Sequence, residues 1–209
     1  MWSLFSFHRV CAVALGVAVF PAAAALGEDV PRTPASGANS ARAKEKGQAT
    51  AHAVPELIGR ATPENVAVVI SLSKQRLYFK VGHETAIDSP VSTGRGARMT
   101  PVGQFQIVQK VANHRSTLYG KFVGANGRTV RSDVSMRVHS PPAGARFQGA
   151  PMKWFLRLGS HPQDFTTVGI HAGILPGYPA SHGCIRLPKD VAKTIFEKVK
   201  LGTPVTILQ

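Results

Sequence analysis

The sequence predicts a mainly β domain, a sandwich or partly closed barrel, and three observations carry that prediction. Short β-branched and aromatic runs recur through the last two-thirds of the 209-residue chain, bounded by Gly, Asn, Ser or Pro. One late segment alone carries apolar residues at helical spacing. Many strands with a single helix bury their apolar faces by packing sheet on sheet or by curling one sheet on itself.

The chain opens with His8 and Arg9, an apolar stretch from Val10 to Phe20, and Pro21 followed by four alanines. Residues 1–25 therefore read as a cleavable secretory signal peptide, because eleven apolar residues fall short of the roughly 20 needed to span a bilayer. An uncleaved membrane anchor is the alternative, and only then does the sequence imply a membrane partner. Residues 26–63 are rich in Ala, Pro, Ser, Thr and Gly without sustained apolar period, so a flexible linker is expected there. As a coil it would span about 35 Å.

The folded domain is expected over 64–209. Val66 to Ser71 is a β-branched run, Arg76 to Val81 a second strand, and Gly82-His83-Glu84 turns the chain into a third that ends near Val91. Gly103 to Val111 reads as a fourth strand of the same β-meander. Asn126-Gly127 marks a tight hairpin, since both residues accept positive φ. Trp154 to Leu158 and Thr167 to His171 are further strands. Pro188-Lys189-Asp190 opens the helix, Val191, Ile195, Phe196 and Val199 form its stripe, Gly202 stops it, and Pro204 to Leu208 closes the domain as a strand.

Charge narrows the partners. There are 25 Lys+Arg against 11 Asp+Glu, a net charge of +14, and the leader holds only Arg9 of these. Such a chain favours polyanions or an acidic matrix. The basic residues are dispersed and no nucleic-acid motif is present, so nucleic acid is not the expected partner. An anionic cell envelope suits an exported chain better, with a merely solvated basic surface as the plain alternative.

Chemistry gathers at one cysteine. The chain has two, and loss of the leader removes Cys11, leaving Cys184 without an intramolecular disulfide partner in an oxidising compartment. Cys184 lies in Ala180-Ser181-His182-Gly183-Cys184-Ile185-Arg186, thirteen residues after His171 in Gly169-Ile170-His171-Ala172-Gly173. A free thiol is only slightly ionised at neutral pH, so a competent nucleophile needs a positioned base. His171, at a strand end, is the expected base, while adjacent His182 holds the loop. Gly183 permits a tight turn on which the amides of His182, Gly183 and Cys184 could meet an oxyanion. A zinc site from His161, His171, His182 and Cys184 has suitable residue types, but the spacings match no common zinc pattern. The chemistry calls for no metal and no cofactor.

These segments resemble the active-site signature of the L,D-transpeptidase (YkuD, ErfK) family. Val69 to Tyr78, Ser92-Thr93-Gly94, Thr100-Pro101-Val102-Gly103-Gln104-Phe105 and Gly202-Thr203-Pro204-Val205 are similar to other segments of it, so the resemblance spans about Glu64 to Leu208. It implies that Cys184 attacks a peptidoglycan tetrapeptide stem after the L-centre of diaminopimelate, releases D-alanine, and passes the acyl group to an amine. The acceptor would be a second stem, giving a 3-3 cross-link, or an envelope lipoprotein. Carboxypeptidase trimming, lipoprotein release and a non-catalytic peptidoglycan-binding module are the alternatives. The resemblance further implies His171 as base, oriented by a carbonyl such as that of Ala172, with Ser181 and Gly183 shaping the loop and Arg186 binding a substrate carboxylate or bracing the site. Many members carry Asn at the position of Arg186 and a longer segment between the histidine and Ser181. Met152, Trp154 and Tyr178 are expected to line the donor cleft, and residues 120–149, with four arginines, to form a lid or an ordinary basic hairpin. The expected location is the periplasm or cell wall of a bacterium.

Overall fold

A computed structural model describes residues 50–209. The expected leader and most of the expected linker lie outside the described residues. Within them, a two-residue strand β1 (His52–Ala53) and one helical turn α1 (Pro55–Gly59) precede β2 (Val66–Ser71), β3 (Arg76–Val81) and β4 (Glu84–Pro90). There follow β5 (Gly103–Gly124), β6 (Thr129–Ser135), β7 (Ala145–Gly159), β8 (Gly169–Ala172), β9 (Ile185–Leu187), α2 (Lys189–Lys198) and β10 (Pro204–Leu208). The expected linker thus ends in ordered structure, for β1 pairs with β4 and the Val54 N–H donates to the Ala86 carbonyl.

One sheet holds all the strands, in the order β1-β4-β3-β2-β10-β5-β7-β8-β9, with β6 on β5. Its two ends come together where Ser92, just past β4, bridges Arg186 of β9. The mainly β prediction therefore holds, and the sheet is open but bridged at its rim.

β2, β3 and β4 form the expected meander, turned at Gly82, whose φ of 58° is left-handed. The expected fourth meander strand does not join them. β5 pairs with β10 and β7, because β10 inserts beside β2 in parallel register, Val205 facing Val68. Val68, Ile70, Val205 and Ile207 are all buried, so the C-terminal strand belongs at the centre of the sheet.

β5 and β7 run far beyond the strands expected at 103–111 and 154–158. Their distal halves are mostly half-exposed and polar, so no clean two-residue alternation marks them in sequence. This pair, with β6 alongside, holds the arginine-bearing segment at 120–149, expected as a lid or a basic hairpin, in a three-stranded antiparallel extension. The hairpin at Asn126-Gly127 forms as expected, with the Gly124 N–H donating to the Arg128 carbonyl and Gly127 at a φ of 76°.

α2 begins after Pro188 and lays Val191, Ala192 and Ile195 against β7 and β8. Ile195 is fully buried with Ile170, Ile185 and Leu187, so the helix fixes the very strands that carry the cysteine signature.

Candidate active site

His171 lies in β8, where Gly169, Ile170 and His171 are all buried. β9 runs parallel to it, with Ile170 facing Ile185 and His171 facing Arg186. Cys184 is the residue before β9, level with Gly169, so thiol and imidazole lie two residues out of register on adjacent strands and project to the same face. Both line a single cavity of about 790 Å3 whose other walls come from β5, β7 and the start of α2.

The imidazole is fixed by one bond. His171 Nδ1 donates to the Ala172 carbonyl at 2.8 Å, and since a carbonyl only accepts, the neutral ring must carry its proton there. Nε2 is left as the nitrogen able to take a proton. Burial above all, with smaller contributions from the charges of Arg186 and His114 and against the Ala172 bond that raises it, lowers the His171 pKa from the ordinary 6.5 to about 4. Burial likewise raises the Cys184 pKa, opposed by a backbone hydrogen bond from Gly169 and by the charges of Arg157 and Arg186. Burial thus favours the neutral form of each group, and the thiol of half-buried Cys184 points to the Thr167 carbonyl at 3.6 Å.

Ser181 organises the cysteine turn. Its hydroxyl donates to the Cys184 carbonyl at 2.5 Å and accepts the Gly183 N–H at 3.1 Å. Gly183, at a φ of 115°, makes a turn that a side chain would strain. Of the three amides expected to share an oxyanion, the Gly183 N–H is engaged by Ser181 Oγ. His182 stacks on Tyr119, with ring centroids 4.1 Å apart and planes 14° apart. That stack ties the turn to β5.

Residues without an assigned role in the sequence brace this turn. The Thr100 hydroxyl accepts the Gly94 N–H at 2.9 Å and donates to the Gly183 carbonyl at 2.8 Å. Thr93 accepts the amides of Ala180 and Ser181 through its carbonyl, and Gln75 holds Thr93 through both backbone and hydroxyl. These are the Ser92-Thr93-Gly94 and Thr100-Pro101 segments, whose motifs were legible while their contacts were not.

Of the three expected cleft residues, the structure brings only Met152 into the cavity. Trp154 faces away from Lys153, Phe155 and Arg157, which line the cavity; its backbone is left-handed at a φ of 58°, and its ring lies 5.4 Å from that of Phe196, packed on the core. Tyr178 is exposed outside the cavity and contributes its carbonyl, which accepts from Ser92 Oγ at 2.9 Å. In their place stand His114, stacked 4.3 Å from Phe155, and Arg157. Arg157 was visible as the lone charge in Trp154 to Leu158. Among the described residues, no three His, Cys, Asp or Glu side chains gather as a metal site.

Fold and cavity define a β-sheet domain with a buried imidazole and a lone thiol on neighbouring parallel strands of one cationic pocket. Residues 65–207 match the family model of the YkuD L,D-transpeptidase catalytic domain, and the chain belongs to that family. Curated proteins yield no match. Among solved structures, an L,D-transpeptidase from Mycobacterium smegmatis is similar at 18% identity and a TM-score of 0.51, over 69% of this chain and 59% of that one. L,D-transpeptidase 1 of Mycobacterium tuberculosis is similar at 20% identity and a TM-score of 0.47, over 69% of this chain and 62% of its own. The chain thus spans about 60% of the length of these structures.

Proposed function

We propose that the domain is a peptidoglycan L,D-transpeptidase with Cys184 as nucleophile and His171 as general base. The observation that carries this is the fixed tautomer of His171, which leaves Nε2 to serve a thiol on the adjoining strand of the same cavity. Membership in the catalytic-domain family supports it.

In the reaction, Sγ attacks the carbonyl carbon at the L-centre of diaminopimelate in a tetrapeptide stem as its proton passes to Nε2. The Cys184 amide faces the developing oxyanion. Collapse breaks the C–N bond, Nε2 returns the proton to the departing D-alanine amine, and a thioester remains. The amine of a second stem then loses a proton to Nε2 and attacks the thioester, which frees the thiol and leaves a 3-3 cross-link. A lipoprotein lysine as acceptor gives attachment instead, and water gives trimming. The short apolar leader and the net charge of +14 support an exported protein working in the periplasm or cell wall.

Incubation with a carbapenem should add one covalent adduct, mapped to the Cys184 peptide. An adduct of equal yield on the Cys184→Ala protein would refute the nucleophile. Incubation with muropeptides should release D-alanine, and mass analysis of the products identifies the acceptor. Muropeptide recovered bound and unchanged overturns the enzymatic reading.

A further inference from the structure

Arg157, Gly169 and Cys184 form one row across three strands. Arg157 of β7 faces Gly169 of β8, and the β8–β9 register, Ile170 to Ile185, sets Cys184 level with Gly169. Residues at one level of adjacent strands project to the same face, and Arg157 and Cys184 both line the cavity. Between them Gly169 carries no side chain. A Cβ there would overlap the Phe155 ring and come within 2.8 Å of the Leu156 carbonyl oxygen, so the absence of a side chain lets the Phe155 ring pack over Gly169, with the guanidinium against that ring.

The guanidinium is positioned entirely by neutral groups. Nε donates to Gln109 Oε1 at 2.9 Å, Nη1 donates to the Thr166 carbonyl at 2.7 Å, and the group sits 5.1 Å from the Phe155 ring centroid. Arg186, two residues past the thiol on β9, lines the same cavity, its stem laid so closely over Gly173 that a Cβ there would meet Arg186 Cγ at 2.9 Å. Arg137, Lys153 and Lys189 also line the cavity, and no Asp or Glu does. Among the described residues, none of these five cations forms an ion pair with a carboxylate. Of these, Arg157 and Arg186 are half-buried, and half-buried cations without counter-ions lose solvation that a bound anion would restore.

We propose that Arg157 and Arg186 form an anion subsite flanking Cys184, which receives a carboxylate of the acyl donor and makes the protein select donors whose carboxylates are free rather than amidated. The donor part of this inference rests on the transpeptidase reading; the anion subsite does not.

Two measurements test it. The first compares alkylation of Cys184 by iodoacetate and by iodoacetamide, read on the Cys184 peptide of the full chain and normalised to the same ratio for a small free thiol. The ratio should exceed that of the free thiol by about tenfold at low salt and fall as salt rises. Arg157→Gln should remove most of the preference, while Arg157→Lys, which keeps the charge, should retain most of it. A wild-type ratio at or below that of the free thiol, or one that Arg157→Gln leaves unchanged, overturns the subsite. The second compares D-alanine release from free and amidated tetrapeptide stems, with kcat/KM expected to favour the free stem by about tenfold. Equal turnover overturns donor selection. No release from either stem, with the alkylation preference intact, leaves the anion subsite standing and removes the transpeptidase reading.

Discussion

At His171 two forces oppose each other on one ring. The Ala172 carbonyl favours the imidazolium and burial disfavours it, and burial wins, holding the pKa at about 4. With the Cys184 thiol pushed up by its own burial, a resting thiolate–imidazolium pair is not favoured. The proton should move only as the bond to carbon forms. Alkylation of Cys184 should accordingly keep rising between about pH 6 and 9 instead of reaching the early plateau of a preformed ion pair. A plateau near neutrality would contradict this. The same burial links folding to pH. Because the folded pKa lies below the unfolded one, the unfolded chain takes up a proton first as pH falls. The stability from keeping His171 neutral is complete above its ordinary 6.5 and is lost toward the folded value of about 4. Denaturant unfolding of the wild type should weaken by about 1.4 kcal/mol per pH unit within that window, and His171→Gln should flatten that slope.

At the scale of elements, the cysteine turn is held by a segment distant in sequence. Thr100 bridges Gly94 and Gly183 and is 2% exposed, so Thr100→Val leaves a buried N–H and a buried carbonyl without their partner. That should cost about 1–3 kcal/mol of stability and slow acylation of Cys184, and Thr100→Ser should restore both. A Thr100→Val protein that acylates at the wild-type rate would show that the brace does not position the thiol. The cavity wall depends on another close approach. A Cβ on Gly149 would come 3.0 Å from the Ser116 carbonyl carbon and would overlap its oxygen, at the bend where the β5–β7 register shifts. Gly149→Ala should therefore loosen the distal β5–β7 pair, read as faster amide exchange at residues 116–124, while exchange in β2 and β3 stays unchanged. The helix and the strands at 66–71, 76–81 and 204–208 were legible because each has a single apolar period. The distal halves of β5 and β7 were not, because a strand pair with water on much of both faces has no apolar face to repeat.

For the whole molecule, charge and topology have different consequences. The net charge of +14 makes association with an anionic matrix salt-dependent. The protein should co-sediment with peptidoglycan sacculi at low ionic strength and be released at about 1 M salt, where the screening length is about 3 Å. Retention at that salt would point to a specific contact instead. Topology decides where chemistry happens. The β9–α2–β10 connection sends the C-terminal strand to the middle of the sheet and leaves β8 and β9 near its rim, bridged to Ser92.

The sequence by itself determined the strand-rich class and the late helix and singled out Cys184 and His171 as candidates, since these rest on local periodicity and short motifs. Tertiary structure alone decided that Trp154 and Tyr178 stay out of the cavity, that Ser181 takes the Gly183 amide, and that Arg157 stands level with Cys184 across Gly169. The physical reason is register. Which side chains share a face across strands depends on pairings between segments distant along the chain, and those pairings are set by packing of the whole sheet rather than by any local run of residues.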